Sequence, residues 1–239
     1  IVMAFLYAPI LVLIVFSFNK SKSRGAWTGF TLSWYQRLFT NEAIIQSLIN
    51  TLVVALISSV LATVIGTLAA IGIRNMGRLS RSVVMNVTYM PVINPEIVTG
   101  VSLMLLFVFV KNAGVQLEFG FVTLVLAHIT FNIPYVILNV MPKLRQMDVS
   151  VYEAAQDLGC SPMQAFFKVV IPEIMPGILA GFLMAVTYSL DDFIISYFVT
   201  GPTSQTLPIT IFSMTRRKVS PEINALSTII FVVVLIVLL

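Results

Sequence analysis

Six runs of the chain, residues 1–18, 47–73, 82–110, 120–142, 173–200 and 223–239, are apolar over membrane-spanning lengths with few charges inside them. A helix crossing a bilayer needs about 20 such residues, and in lipid the backbone must bond to itself, which a helix does. The runs therefore specify an all-α integral membrane protein with six transmembrane helices, one transmembrane domain over residues 1–239. Composition agrees: 10% of residues are charged, against about 25% in soluble domains. The single cysteine, Cys160, excludes an internal disulfide and a cysteine metal cluster. A net charge of +4 fits membrane orientation and lipid contact, with no nucleic acid partner. Residues 1–18 lack a basic start and a small-residue cleavage site, so they read as a retained helix. The chain starts and stops inside apolar runs, which leads us to expect polar flanks at both ends.

The connections carry their own signals. Trp27, Trp34 and Tyr35 enrich the segment 19–46 in rings that favour the membrane–water interface. Ser33 and Gln36 have capping-box spacing, so a short helix is expected to start there. In the second run Ser58, Ser59, Thr63, Gly66, Thr67 and Ala70 suit close helix packing. Ser220-Pro221-Glu222 reads as the start of the sixth span.

Ionisable groups inside spans mark candidate function, since Asp at a helix centre costs about 2.5–3.5 kcal/mol to insert. The candidates are Glu96, His128, Asp191 and Asp192, and no basic residue shares a span with the three acids. Glu96 follows Pro91 and Pro95 in the third run, roughly 21 Å from each end and hence near mid-membrane. Asp191 lies roughly 27 Å along the fifth run, toward its outer mouth. If that run is one helix, Asp191 and Asp192 point ~100° apart, so one aspartate faces a path and the other packs. Tyr188 and Tyr197 could stack on an ammonium. His128, Asn132 and Asn139 read as hydrogen-bonding glue between helices. The chain has no Walker A sequence, no His-Glu-x-x-His and no Gly-x-Ser-x-Gly, so it is not expected to be an enzyme or to hydrolyse ATP by itself.

Between the fourth and fifth runs the pattern changes. Val151, Ala154, Ala155 and Leu158 fall at i, i+3, i+4, i+7, one apolar helical face. Gly159 supplies a stop able to take positive φ. Ser161-Pro162-Met163-Gln164 is a start, with Ser as N-cap, Pro at N1 and Gln as the box partner. Met163, Phe166, Phe167 and Val170 repeat the face, and Pro172 is expected to end the second helix. The result is a compact pair of capped helices.

This pair resembles the EAA loop of bacterial ABC importer permeases. Glu153-Ala154-Ala155 is followed at the family spacing by Gly159, Val169 and Ile171-Pro172, with Val169 and Ile171 replacing isoleucine and leucine. The stretches PVINPEIVTGVSL and YSLDDFIISYFVTGPTSQTLPITIF resemble the polyamine (spermidine/putrescine) permeases of that group, and the likeness covers nearly the whole chain. The resemblance implies a type I ABC importer permease fold in the bacterial cytoplasmic (inner) membrane, taking up polyamines by alternating access. It implies a cytoplasmic coupling loop over residues 143–173, in which Glu153, Ala154, Ala155, Leu158, Gly159, Val169, Ile171 and Pro172 engage an ATPase. Glu96, Asp191, Asp192, Tyr188 and Tyr197 would line the substrate path. Implied partners are a sister permease in a heterodimer, two copies of the ATPase and an extracytoplasmic substrate-binding protein. No cofactor is expected on this chain, with ATP and Mg on the ATPase.

Alternatives remain open: another ABC cargo such as a ferric ion, a thiamine-like cation or an opine, a secondary transporter using Glu96 or His128 as a proton site, or a membrane scaffold. With the loop cytoplasmic, six cations lie inside (Arg74, Arg78, Arg81, Lys143, Arg145, Lys168). Eight lie outside (Lys20, Lys22, Arg24, Arg37, Lys111, Arg216, Arg217, Lys218). The raw count opposes this orientation, which rests on the resemblance.

Overall fold

A computed structural model describes residues 2–21, 26–217 and 221–238. Lys22, Arg24, Lys218 and the Ser220 start of the sixth span fall outside them. The described residues form helices α1 (Val2–Ser17), α2 (Ser33–Thr40), α3 (Glu42–Arg74), α4 (Arg78–Ile93), α5 (Glu96–Asn112) and α6 (Phe121–Gln146). They continue with α7 (Val149–Asp157), α8 (Pro162–Ala165), α9 (Ile171–Asp191), α10 (Ile194–Val199), α11 (Leu207–Arg217) and α12 (Pro221–Leu238). Among them β structure is limited to one antiparallel bridge between Asn19 and Phe30.

Three stretches are long and apolar enough to cross a membrane: α3, α6 and the continuous helix Pro162–Asp191. The pair α4 and α5 makes a fourth if counted together, and shorter apolar helices lie at Tyr7–Ser17 and Pro221–Val232. These correspond to the six apolar runs. The third run departs from expectation, because α4 and α5 meet at 105° and do not share one axis. Pro95 lacks an N–H and pushes Asn94 out of the helical region, to ψ 142. The depth of Glu96 counted along a straight run therefore does not apply. Pro91, by contrast, stays inside α4.

The chain forms two units. In the unit Ile1–Ile49 with Thr206–Leu239, α12 packs on α1 and α2. Trp34 and Leu38, one turn apart on α2, are buried, and Leu38 joins Ile44, Leu207 and Leu226 in a small core. Asn19 organises the preceding loop: its amide donates to the Ala26 carbonyl at 2.8 Å and its Oδ1 accepts from the Thr28 N–H at 3.0 Å. The Trp34 indole donates to the Asn19 carbonyl. Helix α2 starts where the sequence suggested, but Ser33 is its first residue and not its cap. The Ser33 N–H is bonded by the Thr31 hydroxyl instead.

The unit Asn50–Gln205 is built around α6. Val136, Ile137, Val140, Met141 and Leu144 bury one end of that helix against Ala70 and Ile73 of α3, Met85 of α4, and Ile174 and Ala185 of α9. Leu124, Val125, Ala127 and Phe131 bury the other end with Leu103 and Phe107 of α5 and Ile195 and Val199 of α10. Val136 is gripped from two sides. A Cβ on Gly66 of α3 would lie 2.8 Å from the Val136 side chain, and one on Gly181 of α9 would lie 3.1 Å from its Cα. Only glycine permits this approach. Gly181→Leu should therefore force α9 off α6, with overpacking of about 1–3 kcal/mol or more. The yield of monodisperse protein by fluorescence-detected size exclusion should fall steeply, and Gly181→Ala should fall less.

Candidate substrate site and coupling hairpin

The fifth run is not one helix. α9 ends at Asp191, and Asp192 turns out of it with φ −63° and ψ 119° while its N–H still donates to the Tyr188 carbonyl. The chain resumes in α10 because Asp192 caps it: Oδ2 accepts from the Ser196 N–H at 2.7 Å and Oδ1 from the Ile195 N–H at 3.2 Å. This corrects the expectation of one helix pointing the two aspartates ~100° apart. A helix terminus separates them. Asp191 is exposed, whereas Asp192 is buried with its carboxylate committed to the backbone.

Beside this break lies a cavity of about 320 Å³. Glu96, Tyr188, Asp191 and Asp192 all line it, so four of the five path candidates converge on one space. Glu96 opens α5 and is exposed. Tyr197 does not line the cavity. It is 51% exposed and packs on Phe193 and Phe198. Nine residues from Tyr188, it would point to the opposite side even of a continuous helix.

Tyr135, Phe131 and Phe193 are the other aromatic side chains of the wall, and sequence reasoning missed them. Tyr135 stacks on Tyr188 with ring centroids 4.3 Å apart. A signal existed: His128, Asn132, Tyr135 and Asn139 repeat at i, i+4, i+7, i+11, so Tyr135 shares a face with the polar residues of α6. The described lining includes no lysine or arginine. Carboxylates facing open space without a cation, beside stacked aromatic faces, make a place for a cationic, partly apolar molecule.

The turn of the hairpin is built as its sequence indicates. Asp148 caps α7 through the Ser150 N–H at 2.9 Å, and that bond holds the Asp148 carboxyl below the usual aspartate range. Gly159 sits at φ +90°. The Cys160 N–H donates to the Ala155 carbonyl and the Gly159 N–H to the Gln156 carbonyl, the two bonds of a Schellman ending. Ser161 and Gln164 exchange both bonds of a capping box.

Pro172 does not end the second helix. Residues Phe166–Val170 form a π-helical turn in which the Ile171 N–H reaches back to the Phe166 carbonyl. That wider turn absorbs the missing N–H of Pro172, and the helix continues as α9. The segment 143–173 thus begins inside α6 and ends inside α9, with Val169 in the π turn and Ile171 opening α9.

Phe166, Val170, Ile171 and Tyr152 pack toward the α6 core, while Ala155 is half-buried. Glu153 and Ala154 are exposed, as are Val151, Met163 and Phe167, and Leu158 is 87% exposed. The hairpin therefore offers apolar side chains to something outside this chain.

Residues 62–239, which include both the cavity and the hairpin, match the family described as binding-protein-dependent transport system inner membrane component. The chain belongs to this family. It is a permease component of the inner membrane, with the type I permease fold. Among its relatives, the putrescine transport system permease protein PotI of Escherichia coli K12 is 42% identical over 229 residues, 95% of this chain and 81% of PotI. The spermidine/putrescine transport system permease protein PotC of the same strain is 39% identical over 236 residues, 99% of this chain and 88% of PotC. PotC of Haemophilus influenzae is 38% identical over 232 residues, covering 97% and 88%. A crystal structure of a bacterial ABC transporter that imports the acidic polysaccharide alginate has a similar fold. Its TM-score is 0.75 at 17% identity, over 98% of this permease and 86% of that chain.

Proposed function

We propose that this permease forms half of the membrane pathway of an ATP-driven importer of polyamines. The observation that carries the reading is the cavity: exposed Glu96 and Asp191, the stacked Tyr135 and Tyr188, and no basic side chain in the described lining. A polyamine presents ammonium groups separated by methylenes, so it needs carboxylates for the charges and aromatic faces for the chain between them. A desolvated cation over an aromatic face gains about 2 kcal/mol or more. The kinship with PotI and PotC supports the same cargo class. The alginate importer shares the fold, and its cargo is acidic. Cargo charge is therefore a property of the site rather than of the scaffold.

The energy is supplied by two copies of a separate ATPase carrying ATP and Mg. The exposed apolar side chains of the hairpin, with Glu153 beside them, form the surface on which one copy docks on the cytoplasmic side. One hairpin offers one docking place, and a dimeric ATPase has two, so a sister permease supplies the second. An extracytoplasmic binding protein delivers cargo, and ATP-driven closure of the ATPase dimer switches the spans between inward- and outward-facing states.

The test is uptake of labelled spermidine and putrescine by the assembled complex in proteoliposomes. Saturable uptake is expected, displaced by either unlabelled polyamine and not by thiamine or ferric citrate. ATP-dependent uptake of a different cargo, with no polyamine competition, overturns the reading.

A further inference from the structure

His128 of α6 is fully buried, and its two ring nitrogens reach opposite sides of the α9–α10 break. Nδ1 lies 2.6 Å from the Ser189 hydroxyl of α9, and Nε2 lies 2.9 Å from the Ser196 hydroxyl of α10. The same Nε2 is 3.6 Å from Oδ2 of Asp192, the carboxylate that caps α10. The two ends of this clamp are unequally supported. Ser189 is also held by the Ser58 hydroxyl of α3 at 3.0 Å and by the Asn132 amide at 3.3 Å. Among the described residues the Ser196 hydroxyl bonds to the nearby Asp192 carboxylate and, from another helix, to His128.

We propose that His128 is a positioning residue that pins α10 to α6 across the break, so that Asp191 is presented to the cavity while Asp192 stays turned inward. This rests on reading the cavity as the cargo's path. Asp192 bonds both sides of the break, its N–H to the Tyr188 carbonyl and its carboxylate to the first turn of α10. The Thr123 hydroxyl of α6 holds the far end of α10 through the Val199 carbonyl at 2.7 Å. The imidazole bond to Ser196 adds a second polar tie from α6, at the near end of α10 beside the aspartates. A buried network of this kind favours one geometry. Losing His128 leaves further groups unpaired beside the Asn132 Oδ1, which is already buried without a partner among the described residues.

The test uses the two amides that imitate one ring nitrogen each. In His128→Gln the amide nitrogen falls near Nε2 and keeps the Ser196 bond. In His128→Asn it falls near Nδ1 and keeps only the Ser189 bond, which Ser58 and Asn132 already support. Each is combined with Asp191→Cys and Cys160→Ser in the complete complex. The rate of modification of the introduced thiol by a cationic methanethiosulfonate is then measured on the assembled fraction.

With His128 or His128→Gln the rates should agree within about two-fold, and His128→Asn should change the rate about ten-fold, the scale of one lost buried hydrogen bond. Ser196→Ala, which removes the Nε2 partner together with its bond to Asp192, should shift it at least as much and serves where His128→Asn fails to assemble. Equal rates in all chains overturn the proposal, as does an equal shift in His128→Gln and His128→Asn. The labelling does not depend on which cargo is carried. Polyamine uptake by the chain with native His128 is scored separately, so failure of the cargo reading is recognised on its own.

Discussion

Gly159→Val should uncouple the transporter: uptake falls at least about ten-fold while the permease still inserts. The glycine sits at φ +90°, and a β-branched residue there carries strain of order 1–3 kcal/mol. No atom lies within 4 Å of where its Cβ would go, so the effect is backbone strain and not collision. The strain is relieved by opening the Schellman ending formed by Cys160 and Gly159 on Ala155 and Gln156, which swings α7 against α8. Exposed Leu158, Met163 and Phe167 then no longer present one surface. Gly159→Asn, which tolerates positive φ better, should lose less. Glu153→Lys, a charge reversal on the exposed face of α7, should uncouple without opening the turn. Co-purification of the ATPase and cargo-stimulated hydrolysis in proteoliposomes are the measurements. Wild-type uptake in both Gly159→Val and Glu153→Lys removes the coupling role from the hairpin.

The second large effect concerns the three acids. Asp191→Asn and Glu96→Gln keep shape and remove charge from exposed walls of the cavity. Each should lower the initial uptake rate about five- to ten-fold per assembled complex, a charge-assisted bond being roughly twice as strong as a neutral one. Insertion and ATPase binding should stay intact. Asp192→Asn should behave differently. Its carboxylate accepts from two backbone N–H groups and lies against His128 in a buried place. Losing the charge weakens the cap of α10, so the yield of folded complex should fall first. Uptake at the wild-type rate in all three neutral chains would reduce the acids to structural contacts.

What was legible in the sequence was local. Ser161, Pro162 and Gln164 write a capping box within four residues, and Gly159 writes a stop, so the hairpin could be drawn before any coordinates existed. The apolar runs likewise marked the spans. The irregular places were hidden for specific reasons. Pro172 looked like a terminator, because a π turn four residues upstream is set by packing on α6 and not by the proline's neighbours. The break at Asp192-Phe193 runs straight into Phe193-Ile194-Ile195, as apolar as any helix interior, and Asp192 was weighed as a charge when it also serves as a cap. The angle at Asn94-Pro95 was announced by the proline, but its 105° was not. Tyr135 carried no charge to mark it, and its role depends on meeting Tyr188 from another helix. Tyr197 faces away from Tyr188 even on an unbroken helix, so its place in the path had no geometric support.

The uninterrupted helix from Pro162 to Asp191 turns the hairpin and the cavity into two ends of one lever. Its 30 residues span roughly 45 Å at 1.5 Å per residue. A rigid tilt of about 5° about Gly177 and Gly181, roughly 15–20 Å from Asp191, would sweep that carboxylate through roughly 1.5 Å, enough to stretch a hydrogen bond beyond its range. Gly177 and Gly181, where a Cβ would meet the backbone of α6 at 2.9–3.1 Å, are the fulcrum, since they set the line along which α9 rests on α6. A nudge of modest size on the hairpin would thus be enough to take a carboxylate away from a bound ammonium. Cargo release would then require no local rearrangement at the site, only rotation of a helix that already reaches it.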